Sequence, residues 1–134
     1  METIYLAAPL FTDAEKRFNS YLAEKLREKG HKVFVPQEIE YDYRVKPLSK
    51  ELKQEIYRND LQGLSSATLV VAVIDGADAD SGTSFEIGYA VARGIPVYCL
   101  RTDVRRIDDF ECVNLMLETE SKVFTSVDDL LAAL

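Results

Sequence analysis

The sequence has few of the side chains on which common metal and nucleophile sites depend. It contains one histidine, His31, and two cysteines, Cys99 and Cys112, which form no CxxC pair. Because His31 lies in a Gly-His-Lys turn, we expect it on the surface without a catalytic role. That excludes the usual histidine-based metal sites and Ser-His-Asp triads.

Long apolar runs and an excess of basic residues are also missing. No apolar run approaches the roughly 20 residues that span a bilayer, and the start METIYLAAPLF lacks the basic segment of a secretory signal. Lys and Arg number 16 against 23 Asp and Glu, a formal charge of −7, which disfavours a nucleic-acid partner. With so few cysteines, we expect a cytoplasmic protein that has a small-molecule ligand and no membrane or nucleic-acid partner.

The 134 residues fit one domain, 1–134. Short apolar runs alternate with amphipathic stretches. The runs predict strands at 3–7, 32–35, 69–74, 97–100 and 122–124, and the stretches predict helices at about 12–29, 49–65, 83–93 and 127–134. This alternation predicts a three-layer α/β sandwich around a five-stranded parallel sheet, in the flavodoxin-like order 2-1-3-4-5. Residues 36–47 show no period and are predicted to form a loop.

In such sheets ligands bind beyond the carboxyl ends of the strands, at the switch point between strands one and three. The loop after strand one contains Phe11, and the loop after strand three leads into DSGTSFEIGYA, residues 80–90. Glu86 stands early in the helix that begins there. An acid in that position can simply complement the helix dipole, but Gly82 and Gly88 would let a ligand approach the backbone closely.

Several further carboxylates are expected around Glu86. Asp75, Asp78 and Asp80 precede it within twelve residues, and crowded like charges raise at least one pKa. A pair with one protonated and one ionised acid suits cleavage of a glycosidic bond. A Mg²⁺ site is the rival use of clustered acids.

Two other residues are unusual for their positions. Asp60 occupies a slot in the apolar i, i+4 stripe Leu52, Ile56, Asp60, Leu64, so it must meet a partner, open on to a cleft or sit at an exposed edge. Tyr5 lies inside the first apolar run. It is either a core residue or one whose hydroxyl meets a carboxylate at the sheet edge.

Four segments resemble the nucleoside 2-deoxyribosyltransferase family. They are IYLAAPLFTDAE from Ile4, IYRNDLQGLSSAT from Ile56, DSGTSFEIGYA from Asp80 and VNLM from Val113. The resemblance implies an enzyme that moves a 2-deoxyribosyl group between purine or pyrimidine bases, without a metal or organic cofactor. It also implies a homo-oligomer, built from dimers up to a hexamer, with shared active sites.

The same resemblance assigns roles to individual residues. Glu86 is similar to the family's nucleophile and Tyr5 to the phenol that orients it. Asp60 and Asp80 resemble the pair that hydrogen-bonds the base and moves its proton, and Gln37 resembles a base-contacting glutamine. Asn114 and Met116 resemble residues that complete a neighbouring subunit's site near the sugar 5′-hydroxyl. Members often end in a tyrosine that reaches the neighbour's sugar, and Leu134 stands last here.

Two other functions remain as alternatives. A 2′-deoxynucleoside 5′-monophosphate N-glycosidase would share the fold and a similarly placed glutamate, but the loop AAPLFTDAE offers little for a phosphate. A receiver-like or nucleotide-sensing module would share the fold without chemistry. A receiver needs an acid pair directly after strand one, where Ala7, Ala8 and Pro9 stand.

Overall fold

A computed structural model describes residues 1–42 and 47–134. Its centre is a sheet of five strands in the order β2-β1-β3-β4-β5, and all four neighbouring pairs run parallel. The strands are β1 (Thr3–Ala7), β2 (Lys32–Phe34), β3 (Leu69–Val73), β4 (Val97–Leu100) and β5 (Lys122–Phe124). The predicted fold class and strand order are confirmed, and β2 and β3 each end one residue earlier than predicted.

The described residues form five α-helices and one short 3-10 helix besides the strands. The α-helices are α1 (Asp13–Glu28), α2 (Lys50–Ser65), α3 (Ser81–Ala92), α4 (Leu115–Glu118) and α5 (Val127–Ala132), and the 3-10 helix is Pro36–Glu38. The predicted loop 36–47 therefore begins with a helical turn, and its residues 43–46 lie outside the described part of the chain. The sequence pattern did not predict α4, which is only four residues long.

Local sequence signals explain where the principal helices begin and end. Thr12 and Glu15 form a capping box at the start of α1, and Gly30 follows that helix with φ of 91°, a conformation that glycine adopts without strain. Asp80 caps the start of α3 through the backbone N–H of Thr83. The start of α3, which carries Glu86, is thereby fixed directly after β3.

The core lies on both faces of the sheet, as a three-layer sandwich requires. On one face α1 and α5 pack through residues such as Leu22, Leu26 and Leu130, and on the other α2 and α3 pack through Leu64 and Ile87. All five residues of β3 are buried, because that central strand is covered on both sides. Within residues 1–42 and 47–134, no helix is long and apolar enough to cross a membrane.

A glycine on α2 brings that helix close to the sheet. A Cβ on Gly63 would lie 2.9 Å from the ring of Phe34, closer than side chains pack. The Phe34 ring in turn stacks on Tyr5, with 5.4 Å between ring centroids and 12° between the planes. The absence of a side chain at Gly63 therefore sets the distance between α2 and β1.

The prediction that His31 lies on the surface is wrong. Its side chain is buried, and its Nδ1 accepts a hydrogen bond from the backbone N–H of Glu2 at 3.1 Å. The strand starts explain this, since the neighbouring Lys32 pairs with Thr3 at the first step of the β1–β2 ladder. His31 thus lies at the amino ends of the strands, opposite the edge where ligands bind in such sheets.

Candidate active site

A cavity of about 830 Å³ lies beyond the carboxyl ends of β1 and β2, between α2 and the start of α3. This is the edge of the sheet at which a ligand was expected. Three carboxylates line the cavity, those of Asp60, Asp80 and Glu86. Four aromatic side chains share the lining, those of Phe11, Tyr41, Tyr57 and Phe85. Acids set among flat apolar rings form a site that can hold a planar heterocycle and act on its protons.

Glu86 lines the cavity, and Tyr5 contacts it from outside the described lining. Tyr5 is fully buried on β1, and its hydroxyl donates a hydrogen bond to Oε2 of Glu86. Burial raises the pKa of Glu86 to about 7, the Tyr5 hydrogen bond opposes that rise, and the charges of Asp60 and Asp80 add to it. Burial, followed by the neighbouring charge of Glu86, holds the pKa of Tyr5 well above its usual range. Tyr5 therefore stays protonated and always offers a donor to the carboxylate.

Asp60 faces the same cavity from α2. Among residues 1–42 and 47–134, its buried Oδ1 meets no hydrogen-bond partner. Burial raises the pKa of its carboxyl group to about 6. The Asp60 side chain therefore opens on to a cleft, one of the outcomes predicted for an acid in an apolar stripe. A carboxyl group without a partner can give a proton to a ligand or take one from it.

Asp80 has a structural role as well as a place in the lining. Its Oδ2 accepts hydrogen bonds from the backbone N–H of Thr83 at 3.0 Å and from the Thr83 hydroxyl at 3.3 Å. Gly82 also lines the cavity, and a Cβ there would lie 3.2 Å from Oδ2 of Asp80. The glycine thus keeps one side of the Asp80 carboxylate uncovered.

The prediction that Asp75 and Asp78 crowd the cleft is wrong. The Asp75 carboxylate turns toward the segment after β4, where it accepts hydrogen bonds from the N–H groups of Thr102 at 2.6 Å and Asp103 at 2.9 Å. Asp78 is exposed and accepts a hydrogen bond from the next N–H along the chain. Over the described residues, no cluster of His, Cys, Asp and Glu could hold a metal ion. The Mg²⁺ alternative therefore has no support in this part of the chain.

Phe11 and Gln37 line the cavity, but only Phe11 presents its side chain without restraint. The Phe11 side chain is 73% exposed at the rim. The Gln37 amide is held against α1, where Nε2 donates to the carbonyl of Lys16 and to Ser20, and Oε1 accepts from Asn19. A base contact by Gln37 stays a prediction, and it would require the amide to exchange one of these bonds.

Asn114 and Met116 do not line this cavity. Asn114 caps α4 by accepting a hydrogen bond from the backbone N–H of Met116 at 2.9 Å, and the Met116 side chain is 76% exposed. Their expected contact with a neighbouring subunit stays a prediction.

The sequence pattern failed to single out several residues of the lining. Tyr41, Tyr57 and Phe85 form much of its aromatic wall, and the Tyr57 and Phe85 rings lie 6.4 Å apart. Their aromatic character was visible in the sequence, but no period placed Tyr41 on a particular face. Among the described lining residues Lys16 is the one cation, and none is serine, threonine or arginine. That part of the lining is poorly suited to a phosphate group.

Comparisons with known proteins agree with this geometry. The sequence profile of the family described as nucleoside 2-deoxyribosyltransferase matches residues 4–126. No curated protein is similar enough to count as a match.

Solved structures provide relatives that span nearly the whole chain. A conserved protein from Enterococcus faecalis is 31% identical, with a TM-score of 0.80 over 96% of this chain and 94% of its own. A 2-deoxyribosyltransferase from Bacillus psychrosaccharolyticus is 29% identical, with a TM-score of 0.80 over 96% of this chain and 89% of its own.

A third relative, a 2-desoxiribosyltransferase from Leishmania mexicana, is 21% identical and shares the fold, with a TM-score of 0.74 over 97% of this chain and 94% of its own. The family profile covers more than nine-tenths of the sequence and includes both strands and both helices that surround the acidic cavity. On this evidence the chain belongs to the nucleoside 2-deoxyribosyltransferase family.

Proposed function

We propose that this protein transfers a 2-deoxyribosyl group from one nucleobase to another through a covalent intermediate on Glu86. The observation that carries the proposal is the hydrogen bond from buried Tyr5 to Glu86 at the end of an acid-lined cavity. The bond leaves Oε1 of Glu86 as the oxygen to attack the sugar. Family membership and the name of the Bacillus psychrosaccharolyticus relative support the same reaction class.

In the first half-reaction an oxygen of ionised Glu86 bonds to C1′ of a 2′-deoxynucleoside. The C1′–N bond breaks, its electron pair goes to the base, and Asp60 supplies the proton that the leaving base needs. An ester between Glu86 and the sugar results. Asp80 also lines the cavity and can accept a hydrogen bond from the base with the side of its carboxylate that Thr83 leaves uncovered.

In the second half-reaction a new base attacks C1′ from the side that the first one left. The ester bond breaks, Glu86 recovers its carboxylate, and Asp60 receives the proton of the incoming base. Each displacement inverts the configuration at C1′, so the two in succession retain it. Protons and charge balance over the cycle through side chains of this chain alone, so the mechanism requires no metal or organic cofactor.

The mechanism uses the form of the acid pair in which Asp60 holds the proton and Glu86 is ionised, a minor form because the higher pKa belongs to Glu86. Burial raises the pKa of Glu86 to about 7 and that of Asp60 to about 6. Two neighbouring acids with raised pKa values titrate as a pair, and the pair holds one proton between the two steps. When that proton lies on Asp60, Glu86 is ionised and accepts the Tyr5 hydrogen bond, which favours its charged form.

The charge of the lining favours nucleosides over nucleotides. Three carboxylates and a single lysine line its described part, and a phosphate would meet repulsion there with few hydrogen-bond donors. We therefore propose neutral 2′-deoxynucleosides and free bases as substrates. We also propose a cytoplasmic salvage enzyme that works as a homo-oligomer, with Asn114 and Met116 completing a neighbour's site near the sugar 5′ end.

One assay tests the proposal against its rival, hydrolysis of nucleoside monophosphates. The protein is incubated with deoxyadenosine, or with its 5′-monophosphate, with and without cytosine, and the products are separated by chromatography. We expect deoxycytidine and adenine from deoxyadenosine with cytosine. Release of adenine from the monophosphate alone, without deoxycytidine in any mixture, would establish the hydrolase instead.

A Glu86→Gln variant is the matched control, because glutamine keeps an oxygen for the Tyr5 hydroxyl and loses the nucleophile. Exchange at the parent rate in this variant would contradict the assignment of Glu86. Bound ligand with no turnover in the parent protein would favour a binding module.

A further inference from the structure

Tyr41 contributes to two recesses of the molecule. One is the acid-lined cavity, and the other is a shallower recess of about 530 Å³ lined by acidic residues and Arg58. The lining of both recesses includes Tyr41. Tyr41 therefore forms part of the wall of the candidate active site.

Asn59 fixes the position of this wall. Its side-chain Nδ2 donates a hydrogen bond of 2.9 Å to the Tyr41 hydroxyl. Asn59 directly precedes Asp60 on α2, and consecutive helical side chains diverge by about 100°. Asp60 can thus face the cavity while Asn59 reaches sideways to Tyr41, and the two positions move together.

The Tyr41 hydroxyl also lies within electrostatic reach of Tyr5. The pKa of Tyr5 is raised by burial first, then by Glu86 and Asp60, and also by Tyr41. Tyr41, Asp60 and Glu86 line the same cavity, and Tyr5 lies outside its described lining. A flat ring beside an unpartnered carboxyl group is suited to packing on a heterocyclic base.

We infer that Tyr41 packs against the base of the substrate and that Asn59 is the positioning residue that holds the Tyr41 ring in place. The inference rests on the proposed function, because it takes the base to lie beside Asp60. In this arrangement the ring fixes the plane of the base, and Asp60 meets the edge of the base that gains or loses the proton. Truncation of the ring would join the cavity to the acidic recess and leave the base without a wall.

The test compares Tyr41→Ala, Tyr41→Phe, Asn59→Ala and the double variant Tyr41→Phe/Asn59→Ala in the exchange assay. We expect Tyr41→Ala to raise KM about 20-fold, with kcat changed less than about twofold, because uniform binding is lost. Tyr41→Phe and Asn59→Ala should each raise KM about threefold, and the double variant no more than either, because both remove the same hydrogen bond.

Tyr89→Phe is the matched control. The Tyr89 hydroxyl also hydrogen-bonds to α2, through Ser65 at 2.9 Å, but Tyr89 is not part of the described lining. We expect unchanged kinetic constants in this variant. Thermal unfolding of every variant separates a loss of fold from a loss of binding, and if Tyr41→Ala does not fold, the two milder variants and their double variant carry the test.

The outcomes distinguish this inference from the proposed function. Normal exchange with an unchanged KM in Tyr41→Ala would overturn the inference and leave the proposed function standing. Additive effects in the double variant would overturn the role of Asn59. If the parent shows no exchange, calorimetric titration with adenine and cytosine replaces KM: weaker binding to Tyr41→Ala supports the inference, and equal or absent binding overturns it.

Discussion

Two groups of carboxylates lie at the same edge of the sheet, and they differ in how their oxygens are satisfied. Beyond β3 and β4, Asp75 accepts hydrogen bonds from two backbone N–H groups and the Thr102 hydroxyl. Asp103 accepts from Gly76 and Arg105, and the Arg105 hydrogen bonds hold its pKa well below the usual range. Beyond β1, by contrast, burial raises the pKa values of Glu86 and Asp60.

A buried arginine lies beside the carboxylates of Asp75 and Asp103. The Arg101 guanidinium is 5% exposed and donates to the carbonyls of Ile74 at 2.7 Å and Arg105 at 2.6 Å. These bonds join the loop after β3 to the segment after β4. The comparison indicates that acids supplied with donors hold loops together, while acids left short of donors remain available for a ligand.

The largest expected effect is the loss of exchange in Glu86→Ala. Removal of the nucleophile should lower kcat by about a thousandfold or more, because the covalent route is closed. Steady-state exchange between deoxyadenosine and cytosine measures it. The matched change in the satisfied group, Asp75→Ala, should affect thermal stability more than kcat; comparable losses of kcat in both variants would break the comparison.

The next effect concerns the proton held by Asp60. Asp60→Asn should lower kcat about a hundredfold, since the leaving base then departs without a proton donor. The parent enzyme should show a bell-shaped pH profile with limbs near pH 6 and 7, because the active pair carries one proton.

The shape of the profile in Asp60→Asn provides a second readout. The variant should lose the falling limb at high pH, because that limb reports loss of the remaining proton of the pair. An unchanged bell-shaped pH profile in this variant would exclude Asp60 as the group that holds the proton.

A smaller effect is expected from Tyr5→Phe, which keeps the buried ring and removes the donor. The Tyr5 hydrogen bond lowers the pKa of Glu86, so its loss should move the rising limb of the profile to higher pH. The rate at neutral pH should fall about 30-fold, as expected for the loss of a hydrogen bond to a charged group. A lower rate with an unmoved limb would mean that Tyr5 supports the fold and does not orient the nucleophile.

The smallest effect is on stability, and it has opposite signs in the two groups. The pKa of Glu86 rises from 4.5 to about 7 on folding, so the folded protein binds the extra proton between these values and loses stability as pH rises through them. Glu86→Gln should therefore gain unfolding free energy relative to the parent as pH rises from 5 to 8.

Asp103→Asn should show the reverse sign, because the pKa of Asp103 is lowered on folding. The unfolding free energy of this variant should be lower than that of the parent at neutral pH, and the difference should vanish as pH falls through the acid range. Urea unfolding at several pH values measures both variants. Equal pH dependence in the two would remove the contrast between the groups.

The fold was predictable because its signals are local and regular. The apolar run of β3 and the cap and glycine around α1 each identify an element without knowledge of its neighbours. The position of Glu86 followed from the sheet order, because the switch-point rule selects the helix that begins after β3. Asp60 was singled out by its place in an apolar stripe, and Tyr5 was left as either a core residue or a partner for a carboxylate. Their roles came from a family resemblance, which the family profile confirms only at the level of the family.

The remaining features of the site depend on the directions of side chains in loops. A repeating hydrophobic pattern does not predict those directions. Asp75 and Asp80 are five residues apart and equally acidic, yet one meets the N–H groups after β4 and the other caps α3 beside the cavity. His31 was misplaced for the same reason, since its burial depends on Glu2, 29 residues away in sequence. Tyr41 could not be singled out because its partner, Asn59, belongs to another element.

Gly63 influences the geometry of the candidate active site from a position outside it. It lies outside the described lining of the cavity, yet its missing side chain lets α2 rest on Phe34, which stacks on Tyr5. The absence of a Cβ at Gly63 therefore influences the distance between α2, which carries Asp60, and Tyr5, which donates a hydrogen bond to Glu86. Because a Cβ there would lie 2.9 Å from the Phe34 ring, Gly63→Ala would require α2 or that ring to shift.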